Sequence, residues 1–194
     1  MKTVNRAYTG IPSYLRSRIA NTPADYAGAA IGILGIPFDE GSPFLPGSRM
    51  GPRAIREHSL RFPYGDPLYD PDTGEEYLGT ELTGGLIVDC GDVDIRPANP
   101  GRTFELITAR VREMLDAGLF PVMLGGDHSI TYPIFEAFDT PMHVIQFDAH
   151  QDFAEIDEDL DRTNSHAFRH ITGMDTCLSL TQICLLYTSP SPRD

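Results

Sequence analysis

Short apolar runs recur along the chain as far as about residue 150, and each is bounded by glycine, proline or acidic residues. Runs of this length that are apolar at nearly every position are typical of strands buried on both faces of a sheet. The pattern therefore predicts strands within 29–38, 85–94, 120–126 and 142–149.

The stretch 103–118 has the apolar spacing of an amphipathic helix. Thr103 is a suitable N-terminal cap, and Gly118 is a suitable stop. The apolar face of this helix consists of Phe104, Ile107, Val111, Met114 and Leu115.

Two shorter helices are expected between loops. The first opens at Pro52, a residue favoured in the first turn, and reads "PRAIREHSL". The second covers 129–138 and contains Pro133. The segments 39–52 and 63–80 are rich in glycine and proline and are predicted to form loops or a hairpin.

Apolar strands that alternate with helices are typical of βαβ units. We therefore predict a three-layer α/β/α fold with a mainly parallel sheet. The α/β domain is assigned to 28–175, an N-terminal arm on the surface to 1–27, and a tail without a strand–helix continuation to 176–194. Ligands of such sheets bind beyond the carboxyl ends of the strands.

Composition narrows the classes of partner. The 194 residues suffice for one domain with a sizeable core, and a hydrophobic content of 41% favours a globular fold. A formal net charge of −13 argues against nucleic acid and anionic membranes as partners. The same charge is compatible with a cationic substrate, and equally with an ordinary acidic surface.

The cysteines and the first residues bear on location. Cys90, Cys177 and Cys184 form no CxxC pair, which favours a reducing compartment. The opening "MKTVNRAYTG" lacks the apolar segment of a signal peptide, and no apolar run reaches the length of a membrane span. We therefore expect a cytoplasmic protein.

The segment "VIQFDAHQDF" combines an apolar strand with ionisable groups at every second position. In an extended chain, Asp148, His150 and Asp152 point to the same side. His128 follows the Gly125–Gly126 turn at the end of the preceding predicted strand. We expect these four side chains to converge at one edge of the sheet.

Two interpretations of this cluster remain open. Nitrogen and carboxylate ligands without a thiolate suit Mn(II), and also Zn, Fe or Co. A bound cation also offsets the cost of burying two carboxylates together. The alternative is a solvated acidic strand end beside a hydrogen-bonded histidine.

Two of these motifs resemble a known family. "GGDHS" at 125–129 followed by "FDAHQD" at 147–152 resembles the arginase–agmatinase family of ureohydrolases, which are dimanganese enzymes. The stretches 35–59 and 89–94 resemble the agmatinase branch. The resemblance extends from about Gly32 to about Ile171 and implies an arginase-like α/β fold.

The resemblance implies a role for each motif residue. His128 and Asp152 would hold one manganese, His150 the other, and Asp148 would bridge the pair. A bridging hydroxide would attack the guanidinium carbon of an agmatine-like substrate and release urea and an amine. Asp152 would help a proton reach the leaving amine. His166 stands where the family has its proton-relay histidine, although Ala167 replaces the glycine that usually follows.

The family also has features that this sequence lacks. A later D-x-D motif completes the metal site, and a further carboxylate binds the guanidinium. The string "CLLYTSPSPRD" within 176–194 looks like translated adapter sequence, so we predict a non-native tail that packs poorly and forms no central strand. The fold would then be incomplete at its C-terminus, and the chain an inactive fragment of an enzyme that is a homo-oligomer when full length.

Two alternatives to the amidinohydrolase are kept. The first is a non-catalytic metal-binding fragment or pseudoenzyme. The second is a binuclear metallohydrolase that cleaves a C–N bond in another substrate. A strand ending in D-x-D beyond residue 175 would favour the enzyme.

Overall fold

A computed structural model describes residues 7–62, 67–157 and 159–184. These residues form two compact units. The first unit lies within Met1–Pro37, Gly47–Asp94 and Glu113–Gly126, and the second within Phe38–Pro46, Ile95–Arg112 and Asp127–Asp194.

A parallel sheet organises the first unit. Its four strands lie in the order β1–β5–β2–β6, and their bounds are β1 Arg18–Ile19, β2 Ile31–Ile36, β5 Ile87–Asp92 and β6 Phe120–Gly125. Every pair in this sheet is parallel. The predicted apolar strands and their parallel pairing are therefore confirmed. Residues expected to form a surface arm supply the edge strand β1.

The other elements of the first unit are short. Strands β3 (Leu68–Tyr69) and β4 (Glu76–Tyr77) form the antiparallel hairpin expected within 63–80, and residues 63–66 lie outside the described part of the chain. The helices are α1 (Gly51–Ser59) and α2 (Gly79–Thr83). Three 3₁₀ helices span Tyr14–Arg16, Pro23–Tyr26 and Ser48–Met50.

The long helix α3 (Pro100–Asp116) begins earlier than the sequence suggested. Asn99 Oδ1 accepts a hydrogen bond from the backbone N–H of Arg102 at 3.1 Å, so Asn99 caps the helix. Thr103, the expected cap, lies inside the helix and is fully buried, with its Oγ1 accepting from Arg96 N–H at 3.0 Å. Proline directly after Asn99 is the stronger start signal, because its ring suits the first turn.

One glycine determines how closely helix and sheet approach in the first unit. A Cβ on Gly32 of β2 would lie 2.5 Å from Met114 Cε in the last turns of α3 and 3.0 Å from Leu119 Cδ1. A larger residue would therefore push these side chains away. The core of this unit includes the buried cluster Leu15, Ile33, Leu82, Ile87 and Leu124.

The second unit contains a two-stranded parallel sheet of β7 (Met142–Asp148) and β8 (Cys177–Cys184). Its helices are α4 (Thr131–Phe135), α5 (Ala167–Ile171) and the 3₁₀ helices His128–Ile130 and Asn164–His166. The helix expected over 129–138 is thus a 3₁₀ turn followed by α4. Phe135, Ala167, Phe168 and Ile171 form a buried cluster in this unit.

The tail departs from expectation. Residues 177–184 form a strand, so the prediction of no strand continuation after residue 175 is wrong for this part. In this register Val144 pairs with Leu180 and Phe147 with Ile183, so apolar residues of the two strands lie opposite each other. Within the described chain β8 pairs only with β7, and Leu178 and Ile183 remain exposed. Residues 185–194 lie outside the described residues.

Strands β6 and β7 belong to separate sheets among the described residues, although the sequence suggested a shared sheet. Apolar runs identify strands but carry little information on which strands pair. In the described residues, no helix has the length and apolar character needed to cross a membrane.

A buried ion pair links α1 to the sheet of the first unit. Arg56 donates from Nε to Asp89 Oδ2 at 2.8 Å, from Nη2 to Asp89 Oδ1 at 2.9 Å and from Nη1 to Asp92 Oδ1 at 2.6 Å. Burial works against the charged guanidinium, but the hydrogen bonds and charges of both aspartates outweigh it and raise the pKa of Arg56. Asp89 and Asp92 therefore have a structural role in the first unit.

We predict that Arg56→Ala lowers the free energy of unfolding by about 3–5 kcal/mol, because it leaves Asp89 charged, buried and without its main partner. Urea unfolding followed by circular dichroism measures the loss. Arg53→Ala is the matched control, because its pair with Glu57 lies at the surface and is expected to contribute much less. Equal losses in the two variants would contradict the assignment.

Candidate metal centre

Three of the four predicted ligands meet in the second unit. His128, Asp148 and Asp152 each offer one ligand atom, and these atoms lie within 4.8 Å of one another. His128 Nδ1 is 2.6 Å from Asp152 Oδ2 and 3.0 Å from Asp148 Oδ2. One nitrogen and two carboxylate oxygens thus face a common point, and this donor set fits a divalent cation of the manganese type.

His128 is presented by a tight turn. Asp127 precedes the 3₁₀ helix His128–Ile130 and caps it, with its Oδ1 accepting from Ser129 N–H at 2.9 Å. The imidazole of His128 meets the Phe168 ring edge to face, with the ring centroids 5.2 Å apart. The turn and the aromatic contact restrict the directions that the imidazole can take.

Asp148 and Asp152 reach the site by different routes. Asp148 is the last residue of β7, where the extended backbone predicted from the sequence ends. Asp152 has φ = 46°, in the left-handed region that aspartate tolerates better than most residues. The expected alternation over Asp148, His150 and Asp152 is therefore wrong beyond Asp148, because the chain turns before Asp152.

His150 stands beside the cluster without joining it. Its Nδ1 is 3.6 Å from Asp148 Oδ1, and its side chain is 64% exposed. Its backbone N–H donates to Asp148 Oδ1 at 2.9 Å, which holds the peptide close to that carboxylate. His150 therefore lies near Oδ1 of Asp148, whereas His128 contacts Oδ2 of the same carboxylate.

Gln146 supports the centre and was missed by sequence reasoning. Its buried amide donates from Nε2 to Asp148 Oδ2 at 3.2 Å and to the His150 carbonyl at 3.1 Å. Gln182 of β8 donates in turn to Gln146 Oε1 at 2.6 Å. The available signal was a polar residue two positions before Asp148, on the inward side of a strand.

His166 is buried near the end of the 3₁₀ helix Asn164–His166. Its Nδ1 contacts Thr163 Oγ1 at 2.7 Å and its Nε2 contacts the Glu155 carbonyl oxygen at 3.1 Å. Among the described residues, the group of converging metal-ligand atoms does not include His166.

The site has an electrostatic signature. The hydrogen bond to Asp152 is the main reason that the pKa of His128 is raised above 6.5, with the charges of both aspartates adding to it against burial. Burial raises the pKa of Asp148, but hydrogen bonds from His150 N–H and Gln146 and the His128 charge outweigh it and lower the pKa. A cation that takes the place of the shared proton would interact with the same groups.

Comparison with known proteins assigns the chain to a family. A sequence model described as "Arginase family" matches residues 29–186. The chain belongs to the arginase family. The match includes the two motifs that contain His128, Asp148 and Asp152, and it extends through β8. The predicted boundary at residue 175 and the non-native origin of the tail remain predictions.

Relatives agree with this assignment. The arginase-family chain is 36% identical over 145 residues to an agmatinase from Bacillus anthracis, covering 73% of this chain and 47% of the relative. It resembles the solved proclavaminate amidino hydrolase from Streptomyces clavuligerus with a TM-score of 0.77 and 26% identity, covering 91% of this chain and 57% of that one. The predicted arginase-like α/β fold with a mainly parallel sheet is confirmed.

A more distant structure carries the metal. A formiminoglutamase from Trypanosoma cruzi solved with Mn2+ shares the fold, with a TM-score of 0.65 and 24% identity over 81% of this chain and 51% of that one. Across these comparisons the chain spans about half the length of the proteins it matches.

We predict that Asp152→Asn lowers the pKa of His128 in the metal-free chain, because Asp152 is the main cause of its elevation. NMR titration of the His128 ring protons measures this change. The pair stabilises the fold fully below pH 6.5, and its contribution is lost as pH rises through the raised pKa of His128. Asp139→Asn is the control, since its side chain is 89% exposed and pairs with Arg112. A His128 pKa unchanged in Asp152→Asn would contradict the geometry.

Proposed function

We propose that the chain carries part of the active site of a manganese-dependent amidinohydrolase, which cleaves an agmatine-like guanidino compound to urea and an amine. The observation that carries the proposal is the convergence of His128, Asp148 and Asp152 in a chain of the arginase family. The four metal ligands of the proposal are these three residues and His150.

The donor chemistry supports manganese. Imidazole nitrogen and carboxylate oxygen are ligands that suit Mn2+, and the cluster has no thiolate that would favour a softer ion. The formiminoglutamase with Mn2+ provides a precedent for this metal in the same fold. Two bound ions would supply Lewis acidity and would lower the pKa of a water molecule.

Each residue then has a defined task. His128 and Asp152 would hold one ion and His150 the other. Asp148 would contribute to both, since its Oδ2 lies 3.0 Å from His128 and its Oδ1 lies 3.6 Å from His150. Asp152 would also help a proton reach the leaving amine, and its Oδ2 lies 2.6 Å from the His128 nitrogen. His166 passes a proton to the leaving amine, which requires its Nε2 to exchange the Glu155 carbonyl for the substrate.

The substrate class follows from charge and relatives together. A formal net charge of −13 favours the approach of a cationic guanidino compound. The similarity to an agmatinase favours agmatine within that class. Participation in polyamine metabolism, a cytoplasmic location and homo-oligomerisation of a longer protein belong to the same proposal.

The second candidate is a non-catalytic metal-binding fragment. The partial match to the agmatinase favours this candidate, because the alignment covers only 47% of the length of that protein. A third candidate keeps the binuclear metal chemistry but acts on a different C–N bond, as the formiminoglutamase neighbour suggests. Metal binding is common to all three, and urea release separates them.

We predict that the 194-residue chain binds Mn2+ and that Asp152→Asn weakens the affinity by at least about tenfold, because it removes one charged ligand. Isothermal titration calorimetry gives both affinities. Asp139→Asn provides the matched control, since it removes a carboxylate outside the converging ligands. Equal affinities for the wild type and Asp152→Asn would rule out this site.

We predict no measurable urea from agmatine when the 194-residue chain is loaded with Mn2+, because two ions need more carboxylate ligands than the four proposed residues provide. A chimera that adds the C-terminal half of the related agmatinase is expected to release urea, and His150→Ala within it to abolish release. Urea production by the short chain alone would show that its site is complete. If the chimera folds and binds manganese but releases no urea, the second or third candidate is favoured.

A further inference from the structure

The turn that presents His128 rests on one buried carboxylate. Asp127 Oδ1 accepts from both the backbone N–H and the hydroxyl of Ser129, and Asp127 N–H donates to the Phe38 carbonyl at 2.8 Å. Asp127 and Ser129 are both buried, the latter completely. The residue between them is the metal ligand His128, so these bonds fix the backbone on both sides of the imidazole.

A glycine makes room for this arrangement. Gly41 is buried, and a Cβ there would lie 2.6 Å from Ser129 Oγ, 2.8 Å from Ser129 Cβ and 3.0 Å from Asp127 Oδ1. No side chain fits at this position without moving the cap. The Gly41 carbonyl also accepts from Asn164 N–H at 3.1 Å, so the same segment contacts the turn that carries His166.

The cap is more than a helix start signal. The 3₁₀ helix it begins has only three residues, so little helical structure depends on it. Its geometric consequence is at His128, whose Nδ1 must lie between the oxygens of Asp148 and Asp152. Residues that orient metal ligands through neighbouring contacts commonly affect metal affinity by about 10–100-fold.

We propose that Asp127, seated against Gly41, is a positioning residue that aims His128 at the two aspartates of the metal centre. The inference rests on the proposed function for its metal-binding consequence. The aim of the imidazole can be tested without metal. Asp127 acts through His128 and touches neither substrate nor ion.

The experiment compares Asp127→Ala with Asp127→Asn in the full 194-residue chain. Asparagine retains an oxygen that can accept both Ser129 hydrogen bonds, whereas alanine retains none. Asp25→Ala is the matched control, because Asp25 caps a 3₁₀ helix of the first unit by accepting from Asn21, from Thr22 N–H and from the Thr22 hydroxyl. Circular dichroism verifies folding of each variant.

The first readout uses the metal-free chain. Proton NMR of the His128 ring detects the hydrogen-bonded N–H that faces Asp152, which is expected far downfield in the wild type. We expect Asp127→Ala to lose this signal, and Asp127→Asn and Asp25→Ala to keep it. Retention of the signal in Asp127→Ala, or its loss in Asp127→Asn as well, would overturn the proposal.

The second readout uses Mn2+ affinity and the visible spectrum of the Co2+-loaded chain. Asp127→Ala is expected to lose at least about tenfold in affinity and to change the Co2+ spectrum, while Asp127→Asn restores both. If the wild type binds neither ion, the proposed metal function fails, and the ring-proton signal still decides the positioning role.

A variant that keeps the carboxylate covers the case in which Asp127→Ala does not fold. Gly41→Ala retains every side chain of the turn and adds a methyl group 2.6 Å from Ser129 Oγ. We expect it to lose the same ring-proton signal. A folded Gly41→Ala with the wild-type signal would overturn the proposal.

Discussion

Two carboxylates that share one imidazole nitrogen set the main constraint on the second unit. Asp148 and Asp152 both lie within 3.0 Å of His128 Nδ1, and their side chains are 20% and 10% exposed. The ligand atoms of the two carboxylates lie within 4.8 Å of each other, and two negative charges this close repel unless a proton or a cation lies between them. The surrounding features serve this contact: the Gln146 amide on Asp148, the turn at Asp127, and the ring of Phe168 against His128.

Aspartates of a strand in the first unit are neutralised in a different way. Asp89 and Asp92 also stand at the end of an apolar strand, yet Arg56 satisfies their charge through three hydrogen bonds. A guanidinium fixed by the protein leaves no need for a metal, whereas the His128 cluster has only a neutral or singly protonated ring between its carboxylates. The partner available inside the chain therefore decides whether the charge of an acidic strand end is satisfied by the protein itself or leaves a group that could hold a metal ion.

Elements with a strong local signal could be predicted from the sequence. The apolar runs became β2, β5, β6 and β7, and the family motifs identified His128, Asp148 and Asp152 as neighbours. Strand pairing and side-chain contacts that depend on the tertiary structure could not be predicted in this way. Strand β8 was missed because its apolar alternation is weak and its composition unusual. The inward position of Gln146 could be read from the strand, but its hydrogen bond to Asp148 could not. Strand alternation placed Asp152 correctly for the wrong reason, since the backbone leaves the extended conformation before reaching it.

The left-handed backbone conformation at Asp152 also determines which substitutions this position accepts without backbone strain. Glycine and asparagine are the residues that tolerate this conformation most readily, and each lies one nucleotide change from aspartate. Glycine would relieve backbone strain while erasing the carboxylate, and asparagine would keep the shape while removing the charge. Loss of the carboxylate at this position therefore needs only one nucleotide change and carries little penalty in backbone conformation. What would retain aspartate there is the contact of its carboxylate with His128, because the backbone conformation itself does not require aspartate.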